Sequence, residues 1–202
     1  MIHKYRKLIF DLDGTLIDSR AGIRAALEEA CYRIDALHRQ VPTNIIGPPV
    51  GEMINLLAPE FSDEEVLIAE SQFRKLYDEE FWKSYTLYDG VLGLLDSLKA
   101  LGATILLATN KPEIPTLKIC KDSGMYPYFD TCYCLDTNIF SNKYEMLVNE
   151  DTLGAVFVGD TQSDAETASA LGIDFIFCDY GFGDKVSNTR VTKIDQILGV
   201  IT

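Results

Sequence analysis

Two aspartates one residue apart, Asp11 and Asp13, follow an apolar run in "LIFDLDGT" (8–15). Leu8, Ile9 and Phe10 read as a short buried strand. Residues two apart in an extended segment point to the same side, so both carboxylates are predicted to project from the strand's carboxyl end. Gly14 lets the chain turn sharply behind them. Two like charges held close repel unless a cation or a shared proton compensates. The plainer alternative is a polar turn that happens to contain two aspartates.

Three more clusters carry usable chemistry. "TNKP" holds Thr109 and Asn110, "DTNIFSNK" ends in Lys143, and "GDTQSD" holds Asp160 and Asp164. Acidic groups suit a hard divalent cation, hydroxyl and amide donors suit phosphate oxygens, and one ammonium adds positive charge. Oxygen ligands of this kind fit Mg²⁺, which usually retains waters and sits beside phosphate. Taken singly, Asp160 reads as a turn residue, and Asp164 as a first-turn acid favoured by the helix dipole. Thr109 read alone caps the next turn. Lys111 competes with Lys143 for the role of counter-charge, but its place directly after Thr109-Asn110 fits the second cluster better.

The elements that must position these groups are legible as apolar runs: "KLIF" (7–10), "ATILLA" (103–108), "TCYCL" (131–135), "AVFV" (155–158) and "DFIFC" (174–178). Continuous apolar runs are the mark of a parallel sheet covered on both faces. Helical patterns separate them. Val91, Leu94, Leu95, Leu98 and Leu101 recur at helical spacing before Gly102, and "SDAETASALG" (163–172) opens with a capping type and ends on Gly. Strands alternating with helices predict a doubly wound α/β core, in which ligands bind beyond the carboxyl ends of the strands. The four clusters follow the first four strands.

Residues 18 to 86 break this rhythm. Ile23, Leu27, Ala30, Ile34 and Leu37 form one helical stripe, and Ser62 and Glu65 form a capping box before a second helix. Phe73, Tyr77 and Phe81 at helical spacing read as core of that segment. The expected organisation is therefore an α/β core, 1–17 and 87–202, with a helical domain, 18–86, inserted after the first strand. Entry and exit beside that strand predict hinges near 18–20 and 85–89.

Composition narrows the partners. Hydrophobic residues at 47% are ample for a packed core in 202 residues, and the net charge of −13 argues against nucleic acid. An anionic substrate would need a local positive centre. Five scattered cysteines with no C-x-x-C pair disfavour zinc and predict reduced thiols in the cytoplasm. No apolar run reaches membrane-spanning length, so no membrane partner is expected. No long apolar heptad suggests a coiled coil.

The set "DLDGTL", "ATNKP", "NK" and "VGDTQSD" resembles the haloacid dehalogenase superfamily, and most of all its phosphoglycolate phosphatase branch. "FRKLYDEEF", "LYDGVLGLLDSLKALG" and "IGPPVGEMINLL" extend the likeness over nearly the whole chain. The resemblance implies an Mg²⁺-dependent phosphatase of a small phosphorylated metabolite, with the helical insertion as a mobile cap. It implies that Asp11 is the nucleophile forming an aspartyl-phosphate, and that Asp13 protonates the leaving oxygen and later activates water. Thr109 and the Asn110 backbone would hold the phosphoryl group, and Lys143 would neutralise charge. Asp11, the Asp13 backbone carbonyl and Asp160 would bind Mg²⁺, with Asp164 holding a metal water or Lys143. In the family a Pro and a full helix usually follow this Lys. Here Tyr144 follows and Asp160 comes only seventeen positions after Lys143, so a short helix around 144–150 is predicted.

Related chemistries are sorted by single residues. Dehalogenation is disfavoured because those enzymes lack an acid at the position of Asp13. Phosphonoacetaldehyde hydrolysis needs a Lys early in the cap, and none occurs between 18 and 74. A pyrophosphatase or a β-phosphoglucomutase-like phosphomutase would use the same residues. A non-catalytic binding module on this fold would be expected to have lost one of the aspartates, and none is missing. Specificity is expected around "IGPPVGE" (46–52).

Overall fold

A computed structural model describes residues 4–42, 45–135, 139–183 and 189–201. Asp136, Thr137 and Asn138 of "DTNIFSNK" lie outside the described residues. The five apolar runs become strands β1 (Lys7–Phe10), β4 (Thr104–Thr109), β5 (Thr131–Cys134), β6 (Ala155–Gly159) and β7 (Asp174–Cys178). A sixth, β8 (Arg190–Val191), pairs Arg190 with Phe177 and Val191 with Cys178. It has no sequence signal, being two residues long with a charge in it. The sheet is parallel throughout in the order β5-β4-β1-β6-β7-β8. Leu8, Ile9 and Phe10 of the central strand are fully buried, as a strand covered on both faces requires.

The strand order runs outward from β1 on one side and then returns to its other side, a doubly wound topology. Phe10 is in register with Leu107 of β4 and with Val158 of β6. The residues just past these positions therefore emerge together at one sheet edge, which is where the polar clusters fall.

The chain divides into two compact units, one of Met1–Asp18 with Thr86–Thr202 and one of Ser19–Tyr85. A two-stranded antiparallel ribbon, β2 (Ile17–Asp18) with β3 (Thr86–Leu87), joins the two ends of the first unit where the chain leaves and returns. The helices of this unit are α4 (Val91–Ala100), α5 (Glu113–Asp122), α6 (Lys143–Leu147), α7 (Gln162–Leu171) and α8 (Ile197–Ile201). Val91, Leu94, Leu95 and Leu98 bury one face of α4, but Leu101 falls past its end and is exposed. Helix α6 is a single short element, five residues long.

The second unit holds α1 (Arg20–Asp35), α2 (Val50–Leu57) and α3 (Asp63–Glu79). Leu27, Ala30, Met53, Ile54, Phe73, Leu76 and Tyr77 form its core, with Ile23, Ile34 and Phe81 packed against it. The Ser62 side chain and the Glu65 amide and carboxylate complete the capping box. Leu37 does not join the stripe. Helix α1 stops at Asp35, Ala36 turns left-handed at φ 59°, and Leu37 is left 56% exposed. Among the described residues no helix is long and apolar enough to cross a membrane.

Candidate active site

The loop after β1 delivers Asp11 into a buried position, where Oδ1 accepts a hydrogen bond from Lys143 Nζ at 2.6 Å. The same ammonium donates to Asp164 Oδ1, also at 2.6 Å. Lys143 is the first residue of α6, whose start is fixed by the Asn142 side chain accepting from the Glu145 amide at 3.0 Å. A cation in a first helical turn opposes the dipole, and the two carboxylates offset that cost. The Lys143 side chain is 4% exposed, and its ammonium stands 5.9 Å from the Phe157 ring centre.

Asp164 is locked from its other side. Its Oδ2 accepts from the Thr161 amide at 3.0 Å and hydroxyl at 2.7 Å, which caps α7 and leaves Oδ1 for Lys143. Asp160, just past β6, is fully buried. Its Oδ1 accepts from the Thr15 hydroxyl at 3.3 Å and its Oδ2 from the Phe182 amide at 2.6 Å. Gly14 permits this approach: at φ 81° it lies so close that a Cβ would stand 2.1 Å from Asp160 Oδ2. Carboxylate oxygens of Asp11, Asp160 and Asp164 lie within 4.8 Å of one another.

Electrostatics follow from that crowding. Burial pushes Asp11 well above the usual carboxylate range, against the pull of Lys143, and Asp164 and Asp160 add to the rise. Burial likewise lifts Asp160 to about 6, opposed by the Phe182 amide and reinforced by Asp164. For Lys143 burial acts downward, but Asp11 and Asp164 outweigh it and hold the ammonium above its ordinary value. Were all three carboxylates ionised, they would exceed the single ammonium by two negative charges in a place shielded from water. All-oxygen donors with that deficit fit a hard divalent cation such as Mg²⁺.

Asp13 departs from the simplest expectation. Its carboxylate does not join the cluster; Oδ1 pairs instead with Lys111 Nζ at 3.2 Å. The two aspartates expected to project to one side are therefore matched to different lysines. Thr109 is buried at the end of β4, and its Oγ1 accepts from the Lys111 amide at 3.1 Å, leaving the hydroxyl proton to be donated elsewhere. Asn110 stands exposed at the next position.

Sequence reasoning did not reach Thr15, Lys111 as the partner of Asp13, or the Phe182 amide. The signal for the last was present: "DYGFG" follows the fifth strand as the other clusters follow the first four.

Residues 8–178 match a family of haloacid dehalogenase-like hydrolases. A tyrosine-protein kinase, PtkA, of Mycobacterium tuberculosis is 32% identical over 204 residues, covering 94% of this chain and 69% of its own. A phosphoglycolate phosphatase of Neisseria gonorrhoeae is 26% identical, covering 99% of this chain and 92% of its own. The solved structure of a haloacid dehalogenase-like hydrolase from Streptococcus pneumoniae superposes with a TM-score of 0.86 at 20% identity, over 98% of this chain and 99% of that one.

Proposed function

The chain belongs to the haloacid dehalogenase-like hydrolases, and from that premise we propose that it is an Mg²⁺-dependent phosphatase of a small phosphomonoester, of the phosphoglycolate kind. The observation that carries this reading is the Lys143 ammonium seated between Asp11 and Asp164, beside buried Asp160. A nucleophile, a fixed positive charge and an acidic metal set are thereby gathered at one point.

In this reading an oxygen of Asp11 attacks phosphorus and forms an aspartyl-phosphate, splitting hydrolysis into two easier steps. Oδ2 is the free candidate, since among the described residues the Asp11 carboxylate takes its hydrogen bond at Oδ1. Asp13 gives a proton to the leaving oxygen and takes one from the water that releases phosphate. The Thr109 hydroxyl and the Asn110 amide hold the phosphoryl oxygens, and Lys143 offsets the charge on them. Asp11, the Asp13 backbone carbonyl and Asp160 hold Mg²⁺, while Asp164 holds Lys143. When bound, the cation supplies counter-charge and orients the phosphate. Phosphoryl transfer needs mainly this kind of positioning and charge stabilisation.

Hydrolysis of an aryl phosphate tests the reaction, and a panel of phosphomonoesters scored by kcat/KM tests the substrate class. The panel includes phosphoglycolate, a hexose phosphate, a nucleoside monophosphate and pyrophosphate. EDTA should abolish turnover and Mg²⁺ restore it, with Ca²⁺ a poor substitute because its longer, looser bonds misplace the nucleophile. Full activity without metal would overturn the metal reading. Phosphorylation of a tyrosine peptide from ATP, with no hydrolysis of any phosphomonoester, would overturn the phosphatase reading.

A further inference from the structure

The turn that follows β7 presses its backbone against Asp160. Gly181 donates to the Cys178 carbonyl at 3.1 Å, and Phe182 then donates its amide to Asp160 Oδ2 at 2.6 Å. A Cβ on Gly181 would stand 2.3 Å from Asp160 Cβ, and one on Gly183 would stand 2.2 Å from the Asp160 carbonyl oxygen. Neither position tolerates a side chain without moving the aspartate.

Tyr180 opens this turn and connects to the same carboxylate through Thr15. Its hydroxyl donates to the Thr15 carbonyl at 2.9 Å, and the Thr15 hydroxyl donates to Asp160 Oδ1 at 3.3 Å. Tyr88 packs on the Tyr180 ring edge-on, with centroids 4.7 Å apart, and the Tyr88 amide donates to the Leu16 carbonyl at 3.1 Å. The loop that carries Asp11 and the turn at 180–183 are thus tied together through Asp160. Burial pushes the Tyr180 phenol far up, which keeps it a donor throughout the working pH range.

We propose that Tyr180 is a positioning residue that acts through Thr15 and, with the Phe182 amide, fixes the Asp160 carboxylate for the divalent cation. The inference rests on the metal reading above. A carboxylate clamped at both oxygens loses little freedom when an ion arrives, and its lone pairs are already aimed. Partners of this kind behind a metal ligand typically change metal affinity about 10- to 100-fold when removed.

The test is Mn²⁺ binding to the full chain, read from the electron paramagnetic resonance of the free ion, together with melting temperature in EDTA. Tyr180→Phe and Thr15→Val should each weaken Mn²⁺ binding about 10-fold or more. The double variant should be no weaker than the worse single one, because both act along one path. Thr15→Ser keeps the hydroxyl and should restore affinity. A Tyr180→Phe affinity within about two-fold of wild type would overturn the proposal, even if its melting temperature fell. If Tyr180→Phe does not fold, the Thr15 pair decides: Ser as weak as Val, or Val as tight as wild type, overturns it. A wild-type chain that binds no Mn²⁺ overturns the metal reading itself.

Discussion

The Lys143 ammonium lies 2.6 Å from Oδ1 of Asp11, although 132 positions separate the two residues in the chain. Two parallel strands converge on this contact, since Asp11 leaves β1 while Phe157, in β6 next to it, lies under the ammonium. The pair is the electrostatic centre of the proposed reaction.

Removing that charge should cost activity and stability together. Lys143→Ala is expected to lower kcat about 10²-fold or more, as loss of one key electrostatic stabiliser does. It also leaves Asp11 and Asp164 buried and facing each other, which should cost on the order of 3–5 kcal/mol in EDTA. Steady-state kinetics and melting curves check both. Lys111→Ala, which removes the ammonium paired with Asp13, should have the smaller effect on kcat. The reverse order would reassign the counter-charge to Lys111.

Asp11 and Asp13 should fail differently. Asp11→Asn removes the proposed nucleophile, so no covalent intermediate should form with any substrate. Asp13→Asn keeps the nucleophile but loses the proton carrier. An aryl phosphate needs little protonation of its leaving group, so the first step survives better than the second. Loss of a general base typically costs about 10²- to 10⁴-fold, and the variant should accumulate phosphoenzyme. An initial burst of aryl alcohol and a mass increase on the protein would reveal it. A burst from Asp11→Asn would refute the division of labour.

Asp160 gives the metal-free protein a pH dependence. Burial holds its folded pKa at about 6, above the ordinary carboxylate value. The folded state therefore binds the proton more tightly than the unfolded chain. Stability from this group is complete below about pH 4 and lost as pH rises through about 6. Asp160→Asn should make the chain more stable in EDTA at pH 7.5, on the order of 3 kcal/mol, with the difference closing near pH 4. Mg²⁺ should stabilise the wild type and not the variant. Denaturant melts across that range test it, and a variant less stable than wild type in EDTA at pH 7.5 would count against the buried charge.

The helical unit should have an acid-sensitive latch of the opposite sign. The Arg39 guanidinium binds Asp35 at 2.5 Å and also meets Glu60, with its carbon 5.1 Å over the Phe61 ring. Its hydrogen bond to Asp35 holds that carboxyl down at about 2. The stability it contributes is present above about pH 4 and lost as pH falls through about 2. Arg39→Met should therefore begin acid unfolding at higher pH than wild type, followed by circular dichroism. Coincident acid transitions would sink the idea.

The sequence by itself determined the α/β core, its strands and the chemical parts of the site. Each cluster is local: Asp11 with Asp13, Thr109 with Asn110, and Asp160 with Asp164 are set by a few consecutive residues. Apolar runs fix strands over the same short range, and the rule that ligands gather at strand ends does the rest. Local pattern fails where an element ends without a strong signal. Leu37 and Leu101 carry the right spacing but lie past their helices, and β8 exists only because β7 offers it a partner. The residues alone left Lys143 and Lys111 in competition, the family resemblance favoured Lys143 for Asp11 and Asp164, and only the tertiary structure paired Lys111 with Asp13. Alternation along a strand says that Asp11 and Asp13 share a side, but an ammonium on a long flexible stem goes wherever its own loop is anchored. The Asn142 cap anchors Lys143 against Asp11 and Asp164, and the end of β4 anchors Lys111 beside Asp13. The clamp from Tyr180 through Thr15 to Asp160 was decided in the same way, because its members are 165 and 145 positions apart and meet only when the sheet is complete.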